Sequence, residues 1–464
     1  MKIKFCGADK TVTGSKHLLD IGGKKILLDC GMVLGDLKRN FDINSKFLFD
    51  PKELDCVILS HAHLDHSGLL PVLVKQGYRG NIYCTDATKD LAKMLLLDSA
   101  HVQLQDIDHR YRYYGENIEP LFKESDVLKT AKQMKAFEYD KWSEILPDIS
   151  LKMVDAGHIL GSALVNIQYK ENEKKRILCF TGDLGRKGLP IIHDPVQVTK
   201  ADVLITESTY AGHLHDSFDI VYEDLRLIVN DVYKRNGKII IPSFALERVQ
   251  ELIYVLHKLY DKKLIPEMPV FVDSPLAIEI SKVFHNYPKY YDKETFDDFL
   301  NNLISPFGFR NLHYIEDKEE SKQLNYFNKP CIIIAASGMC EAGRIVHHLK
   351  YNIENPNNLI LVIGFMAAGT LGRKIVEHAP FIRIFDKNYR LKADVVTLNS
   401  FSGHADKLDL MDYIKNIADL KRIFVVHGEE TETSVMRDNI YNILKFQGKV
   451  DIPNLGEEYD VEFE

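Results

Sequence analysis

The sequence predicts an α/β fold in which a strand-rich unit is interrupted by a second, doubly wound α/β unit. Three observations predict it. Apolar, β-branched runs recur along the chain, and several of them stop at a His, Asp or Glu. Between residues 216 and 394 such runs alternate with amphipathic stretches, the βαβ grammar of a parallel sheet. One run, at residues 56–60, opens into His61, His63, Asp65 and His66, an H-x-H-x-D-H cluster of metal-binding side chains within six residues.

The bulk numbers bound the answer. At 464 residues the chain is long enough for two or three domains. A content of 45% hydrophobic and 27% charged residues is ordinary for a globular protein, so no metal is needed merely to hold the fold together. The net charge, 59 − 67 = −8, argues against a nonspecific nucleic-acid coat but leaves room for an enzyme with local phosphate contacts. No apolar h-region follows Met1, and no run is long enough for a membrane span. The seven cysteines are scattered, odd in number and without a C-x-x-C pair, which predicts buried, reduced thiols in the cytoplasm.

Taken in order, residues 3–5, 15–20 and 25–29 alternate as hairpin strands, with Gly22-Gly23 as a turn. Asp29 closes the last of them. An Asp there can cap a loop or orient metal-binding histidines from behind, and the nearby cluster favours the second role. The buried strand at 56–60 then delivers the cluster. Four donors are too many for one open catalytic site that keeps a water, so two metals are expected side by side, with further ligands arriving from other strand ends. A helix is expected over 69–76, a strand over 80–84, and helices over 87–112. The polar stretch 113–144 reads as surface helices.

Strand 151–158 ends in His158, between Gly157 and Gly161. Strand 176–183 ends in Asp183, whose two oxygens could each bind one ion, and strand 202–207 ends in Glu207. Beyond 216, helices are expected over 219–236 and 248–258, and buried strands over 238–242, 270–273, 331–336 and 359–364. Small residues and free N–H groups after these strands suggest phosphate seats at Ser243, Ser337, Gly338 and Thr370, with Arg344 and Arg373 as forks. Near 393 the earlier grammar returns: strand 395–398, a loop with His404, and strand 422–427 ending in His427.

The donors collected this way form two sets. His61, His63 and His158 could hold one metal; Asp65, His66 and His427 could hold the second, with Asp183 between them. This matches a two-metal hydrolytic site. Two Zn2+ ions are the expected cofactors, and Mn2+ or iron also suit such N/O donors.

At this point the motifs resemble the metallo-β-lactamase fold: H-x-H-x-D-H at 61–66, His158 and Asp183 downstream, and Asp29 in the position of that fold's first motif. The resemblance implies a four-layered αββα sandwich, a fold that hosts many hydrolases and does not choose among them. Glu207 in 206–210, His404 in 402–406 and His427 in 426–429 resemble the three additional motifs of the β-CASP nucleases, and the insertion resembles their cap domain. The likeness covers nearly the whole chain. It is nearest to the branch containing the endonuclease subunit of the pre-mRNA 3′-end cleavage machinery and its compact bacterial relatives.

The resemblance implies residues 1–215 and 395–464 as two halves of a metallo-β-lactamase domain, and 216–394 as a β-CASP domain closing over the site. It implies His404, paired with Glu207, as the general acid, with Asp183 and Asp65 completing the catalytic set. With Asp29 so near Met1, the RNA-binding KH domains of the archaeal relatives are not expected before it, nor, with so short a stretch after His427, is the C-terminal domain of RNase J-like enzymes. The expected activity is metal-dependent hydrolysis of single-stranded RNA in RNA processing, endonucleolytic, with 5′-exonucleolytic cutting as a further mode. Single-stranded RNA is the expected partner; a homodimer is admitted and a membrane is not. The alternatives are a DNA nuclease of the same family, a small-ester hydrolase, which the long insertion and His404 disfavour, and a non-catalytic scaffold in a processing complex.

Overall fold

The computed structural model describes residues 1–463 apart from 36, 116–117, 303–304, 365 and 367–368. It divides into two compact units: Met1–Lys187, Asp194–Leu214 and His404–Glu464 form the first, Gly188–His193 and His215–Gly403 the second.

Among the described residues before His215 the first unit holds β1 (Lys2–Phe5), β2 (His17–Ile21), β3 (Lys24–Leu28), β4 (Cys56–Ile58), β5 (Asn81–Cys84), β6 (Met134–Ala136), β7 (Ser143–Leu146), β8 (Ile149–Asp155), β9 (Ala163–Glu171), β10 (Lys174–Phe180) and β11 (Val203–Thr206). The second unit holds β12 (Lys238–Pro242), β13 (Val270–Val272), β14 (Leu312–Tyr314), β15 (Cys331–Ala335), β16 (Leu359–Val362), β17 (Phe381–Ile384), β18 (Lys387–Arg390) and β19 (Asp394–Thr397). The chain then returns to the first unit with β20 (Arg422–Val425), β21 (Lys449–Asp451) and β22 (Glu458–Asp460).

In the first unit two seven-stranded sheets, β22-β1-β2-β3-β4-β5-β6 and β21-β20-β11-β10-β9-β8-β7, pack face to face. Alternation along the strands decides this. Ile3, Phe5, Ile26, Leu28, Cys56 and Ile58 meet Met153, Val165, Leu178, Phe180, Ile205 and Phe424 in one core. Each fully buried side chain of this size stabilises the fold by about 1.5–3 kcal/mol. The other faces are apolar too. Val154, Leu164, Cys179, Leu204 and Ile423 pack with Leu410, Ile414, Met436 and Ile440 from the helices Lys407–Lys415 and Glu430–Asn442. On the first sheet Leu27 and Val57 point away from the inter-sheet core and are also fully buried, and helix Asp86–Tyr114 packs on β6. The result is the αββα sandwich.

Strand direction brings the site together. β3, β4 and β5 run parallel in one sheet; β10, β11 and β20 run parallel in the other, and β8 shares their direction because both β8 and β10 are antiparallel to β9. The C-terminal ends of all these strands therefore lie on one edge, where ligand sites gather. Backbone hydrogen bonds join the two sheets there: Ala163 N–H to Ser60 O at 2.9 Å, and His427 N–H to Ala8 O at 2.8 Å.

The second unit carries an all-parallel sheet in the order β14-β13-β15-β12-β16-β19. Its central strands are continuous apolar runs, as a sheet buried on both faces requires. A separate ribbon, β17-β18, is closed by the two-residue turn Phe385-Asp386.

Two expectations are corrected. The stretch 113–144 contains one helix in its middle, Glu124–Gln133, but also the strands β6 and β7, which cap the edges of the two sheets; an edge strand has a solvated side and so carries polar residues. The return to the first unit is later than residue 395. β19 is the parallel partner of β16, with Val395 opposite Ile360, so residues 395–403 belong to the inserted unit and the crossing falls at His404. Read alone, its Val-Val pair could belong to either sheet.

Candidate metal centre

The loop after β4 carries most of the donors, and backbone geometry fixes it. Ser15 N–H donates to Asp65 O at 2.8 Å, Cys30 N–H to His66 O at 2.7 Å and Met32 N–H to Leu64 O at 2.9 Å. The approach is so close that a Cβ on Gly31 would sit 1.6 Å from Asp65 O, which leaves glycine as the residue that fits. His63 begins the short helix Leu64–Ser67, which presents Asp65 and His66.

Asp29, at the end of β3 and fully buried, is the anchor behind this loop. It accepts from Ser60 N–H at 2.8 Å and from the hydroxyls of Ser60 and Ser15 at 3.0 and 3.3 Å. It also holds His66 Nδ1 at 2.7 Å, which turns His66 Nε2 inward. The Ser60 hydroxyl lies 3.0 Å from His61 Nδ1, and the Thr209 hydroxyl 3.2 Å from His427 Nδ1. These hydroxyls were missed in the sequence, although each has a positional signal: Ser60 directly precedes His61, and Thr209 stands two residues after Glu207.

Around Asp183 the donors converge in two groups. His61, His63, His158 and Asp183 form one; Asp65, His66 and His427 form the other, the ligand atoms of each group lying within 4.8 Å of one another. In the first, His61 Nε2 and His158 Nε2 lie 3.1 and 3.3 Å from His63 Nδ1, and 3.4 and 3.5 Å from Asp183 Oδ2. Zinc ligands at 2.0–2.1 Å and tetrahedral angles stand about 3.3 Å apart, so these separations are the edges of a coordination polyhedron. In the second, His66 Nε2 lies 3.2 Å from both His427 Nε2 and Asp183 Oδ1, and Asp65 Oδ2 is 3.6 Å from His427 Nε2. Asp183 Oδ1 is buried and accepts no hydrogen bond. A buried carboxylate oxygen without a donor, facing imidazole nitrogens that crowd one another, fits a divalent cation better than it fits a hydrogen-bond network.

The electrostatics suit metal binding at the three histidines of the first group and differ at His66. Burial pushes His61 and His158 below the ordinary imidazole range and His63 down to about 3, which keeps these rings neutral, the form that binds metal. At His66 burial acts in the same direction, but the Asp183 and Asp29 carboxylates outweigh it and hold the group well above that range. Burial would raise Asp65 and Asp183; the surrounding imidazoles overcome it and hold both below the usual carboxylate range.

A third group, Asp183, Glu207 and His404, adjoins the other two. Glu207 is fully buried and fixed by Leu184 N–H at 2.6 Å and Thr209 N–H at 3.3 Å. Both its oxygens stand 3.1 Å from His404 Nδ1. Burial alone would depress His404; the neighbouring Glu207, then Asp183 and Asp65, lift it to about 9. The His404 backbone is seated by Ala405 N–H on Leu184 O at 2.7 Å.

The other predicted contacts lie at the C-terminal edge of the inserted sheet. Ser243 follows β12 and donates to Phe244 O; Ser337 and Gly338 follow β15, with the Phe244 ring against Gly338. Thr370 caps helix Leu371–Val376, which is tied to this edge by Gly372 N–H on Met339 O at 3.1 Å. Arg373 pairs with Glu377 at 2.7 Å. Arg344 is not an open fork: its guanidinium binds Asp273 Oδ1 at 2.5 Å and the carbonyls of Ile315 and Glu316 at 3.0 and 2.8 Å.

Comparison with known proteins gives the family. A metallo-β-lactamase superfamily domain matches residues 18–181, a Beta-Casp domain 249–375, and a Zn-dependent metallo-hydrolase RNA specificity domain 388–453. The chain is 37% identical to Ribonuclease TTHA0252 of Thermus thermophilus, over 93% of this chain and 94% of that one. It is 32% identical to Transcription termination factor FttA of Methanothermobacter thermautotrophicus, over 97% and 70%, and 30% identical to an RNase J-like protein of Methanocaldococcus jannaschii, over 96% of each. A solved structure of a protein of unknown function from Enterococcus faecalis V583 shares the fold, with a TM-score of 0.56 over 99% of both chains at 15% identity.

Proposed function

This chain belongs to the β-CASP family of metallo-β-lactamase-fold nucleases, and from that premise we propose that it is a metal-dependent ribonuclease that cleaves single-stranded RNA. The observation that carries the reading is the coexistence, on one strand-end edge, of two groups of metal-binding side chains, with Asp183 in one and Asp183 Oδ1 3.2 Å from His66 Nε2 of the other, and of a Glu207–His404 pair beside them. We assign His61, His63 and His158 to one ion, Asp65, His66 and His427 to the other, and Asp183 to both. Two zinc ions there would supply Lewis-acid polarisation of the phosphoryl group and acidify the attacking water.

The chain's own residues do the rest. Asp29 keeps His66 in the tautomer that turns Nε2 inward. Glu207 grips His404 Nδ1, which leaves Nε2 to give a proton to the departing ribose oxygen. The buried walls exclude bulk water and strengthen these interactions. We further propose Ser243, Ser337, Gly338, Thr370 and Arg373 as contacts to the RNA backbone, without Arg344, whose donors are committed to Asp273 and two carbonyls.

The test is cleavage of end-labelled single-stranded RNA and matched DNA by the full chain with zinc or manganese, product lengths read over time. A ladder of internal RNA products is expected. Immediate mononucleotides would assign a 5′-exonuclease, preference for DNA the other substrate, turnover of nitrophenyl esters alone an esterase, and no cleavage with two ions bound a scaffold. Seven buried, unpaired thiols support a cytoplasmic location. Among the described residues no helix is long and apolar enough to cross a membrane.

A further inference from the structure

The second unit carries an exposed row of rings and cations on helix Arg344–Asn352 and the β17-β18 ribbon. On helix Arg344–Asn352, His347, Lys350 and Tyr351 fall at i, i+3 and i+4 and so share one face, while Ile345, Val346, His348 and Leu349 are buried. Tyr326 lies beside Tyr351 with ring centroids 5.7 Å apart and planes inclined at 60°, and the Lys350 ammonium lies 5.2 Å over the Tyr351 ring. His347 meets the ring of Phe385 at 5.1 Å. Tyr326, Tyr351 and Phe385 are 68%, 45% and 54% exposed.

The row continues along the ribbon. Alternation in β17 buries Ile382 and Ile384 and turns Phe381 and Arg383 outward; Arg390 stands directly opposite Phe381. Phe385 itself occupies the turn at φ 53°, a left-handed position that favours Asn, Asp or Gly. A large aromatic kept there, half exposed despite its His347 contact, is not what the turn asks for.

Some cations of this unit sit against carboxylates on their own helices, as in Arg226–Glu223, Lys282–Glu279, Lys322–Glu319 and Arg373–Glu377. Among the described residues, Lys350, Arg383, Lys387 and Arg390 have no carboxylate within ion-pair distance. Exposed rings interleaved with unpaired cations are the composition that single-stranded nucleic acid requires: rings stack on bases and cations follow the phosphates. Lysine is depleted at protein-docking faces, and here Lys350 and Lys387 stand among the rings.

We propose that this face, from Tyr326 across Lys350 and Tyr351 to Phe385 and Arg383, is a second docking site for single-stranded RNA. It holds a stretch of the substrate other than the one at the scissile bond. The proposal rests on the ribonuclease reading for its substrate, but its test does not depend on cleavage.

The full chain is compared with two variants, Lys350→Glu/Arg383→Glu and Tyr351→Ala/Phe385→Asn, each checked for an unchanged thermal melt. If either fails to fold, Lys350→Gln/Arg383→Gln and Tyr351→Leu replace it. Substrates are an unstructured RNA of about 30 nucleotides and a hexanucleotide. Each variant is expected to raise KM for the long RNA about tenfold and leave kcat/KM for the hexanucleotide unchanged. The charge variant should also flatten the salt dependence of long-RNA binding by about 0.7 in log–log slope per cation removed. A long-RNA KM within twofold of wild type in both variants overturns the proposal and leaves the face to a protein partner. Should the chain cleave no RNA, the ribonuclease reading fails, and fluorescence anisotropy of the long RNA still decides the face: weaker binding by the variants supports the docking site, equal binding overturns it.

Discussion

Two buried carboxylates end parallel strands in this molecule, and their surroundings could hardly differ more. Asp183, beyond β10, is ringed by imidazole nitrogens at 3.2–3.6 Å, and its Oδ1 accepts no hydrogen bond. Asp273, beyond β13, accepts from the Ser321 hydroxyl at 2.6 Å and Arg344 at 2.5 Å, and meets His348 Nε2 at 2.6 Å. Both are buried to within 2%. A carboxylate whose oxygens are met by close hydrogen-bond donors is a structural tie; one with a buried oxygen that accepts no hydrogen bond among crowded imidazoles fits a cation. The difference separates a metal centre from a brace more securely than burial or residue type does, since both sites contain Asp and His.

The comparison can be broken at several points. The largest effect is expected from Asp183→Ala: bound metal should be lost by elemental analysis and RNA cleavage should fall below detection, with circular dichroism unchanged. A variant that keeps two ions would remove Asp183 from the centre. Next, His404→Ala should keep its metal and lose about 10²–10⁴ in cleavage rate, because it removes a proton donor and not a ligand; full activity would sink the acid assignment. Asp273→Asn should act in the opposite register, retaining metal while lowering stability by about 3 kcal/mol in urea melts, as removing one partner of a buried ionic network does. Metal loss from the folded Asp273→Asn protein would erase the distinction. Asp29→Asn should weaken metal affinity about 10–100-fold, read by competition with a chelating dye, through loss of the hold on His66.

The smallest effect concerns pH. Burial works against the charged form of Asp273, but hydrogen bonds from His348, Ser321 and Arg344 outweigh it and hold the group below the ordinary carboxylate range. A depressed folded-state pKa contributes stability that is complete above the unfolded value, about 3.9, and is lost as pH falls through the folded one. The stability gap between wild type and Asp273→Asn should therefore stay constant from pH 8 to about 5 and narrow only below about 4. A gap that closes near neutrality would contradict the brace.

Much of the centre was legible in the chain because metal chemistry restricts residue types. Few strand ends carry His or Asp by accident, so the cluster at 61–66 could be used to search for His158, Asp183 and His427. The phosphate contacts were less legible. Arg344 after a glycine-rich loop looks like a free fork, and only the path of β13 shows that its partner is Asp273, 71 residues earlier. The end of the insertion was misplaced for a similar reason: four residues of β-branched strand carry no mark of the sheet they join.

The sequence by itself determined the chemistry available to this protein: seven N/O donors, a Glu–His pair, an α/β chain with a parallel-sheet insertion, and no charge excess to bind nucleic acid indiscriminately. Tertiary structure decided which groups are satisfied. Parallel strands from two facing sheets end on one edge, so residues hundreds of positions apart, such as His66 and His427, meet at 3.2 Å. Whether a buried carboxylate is met by close hydrogen-bond donors or by crowded imidazoles depends on that meeting, and it is what distinguishes Asp183 from Asp273.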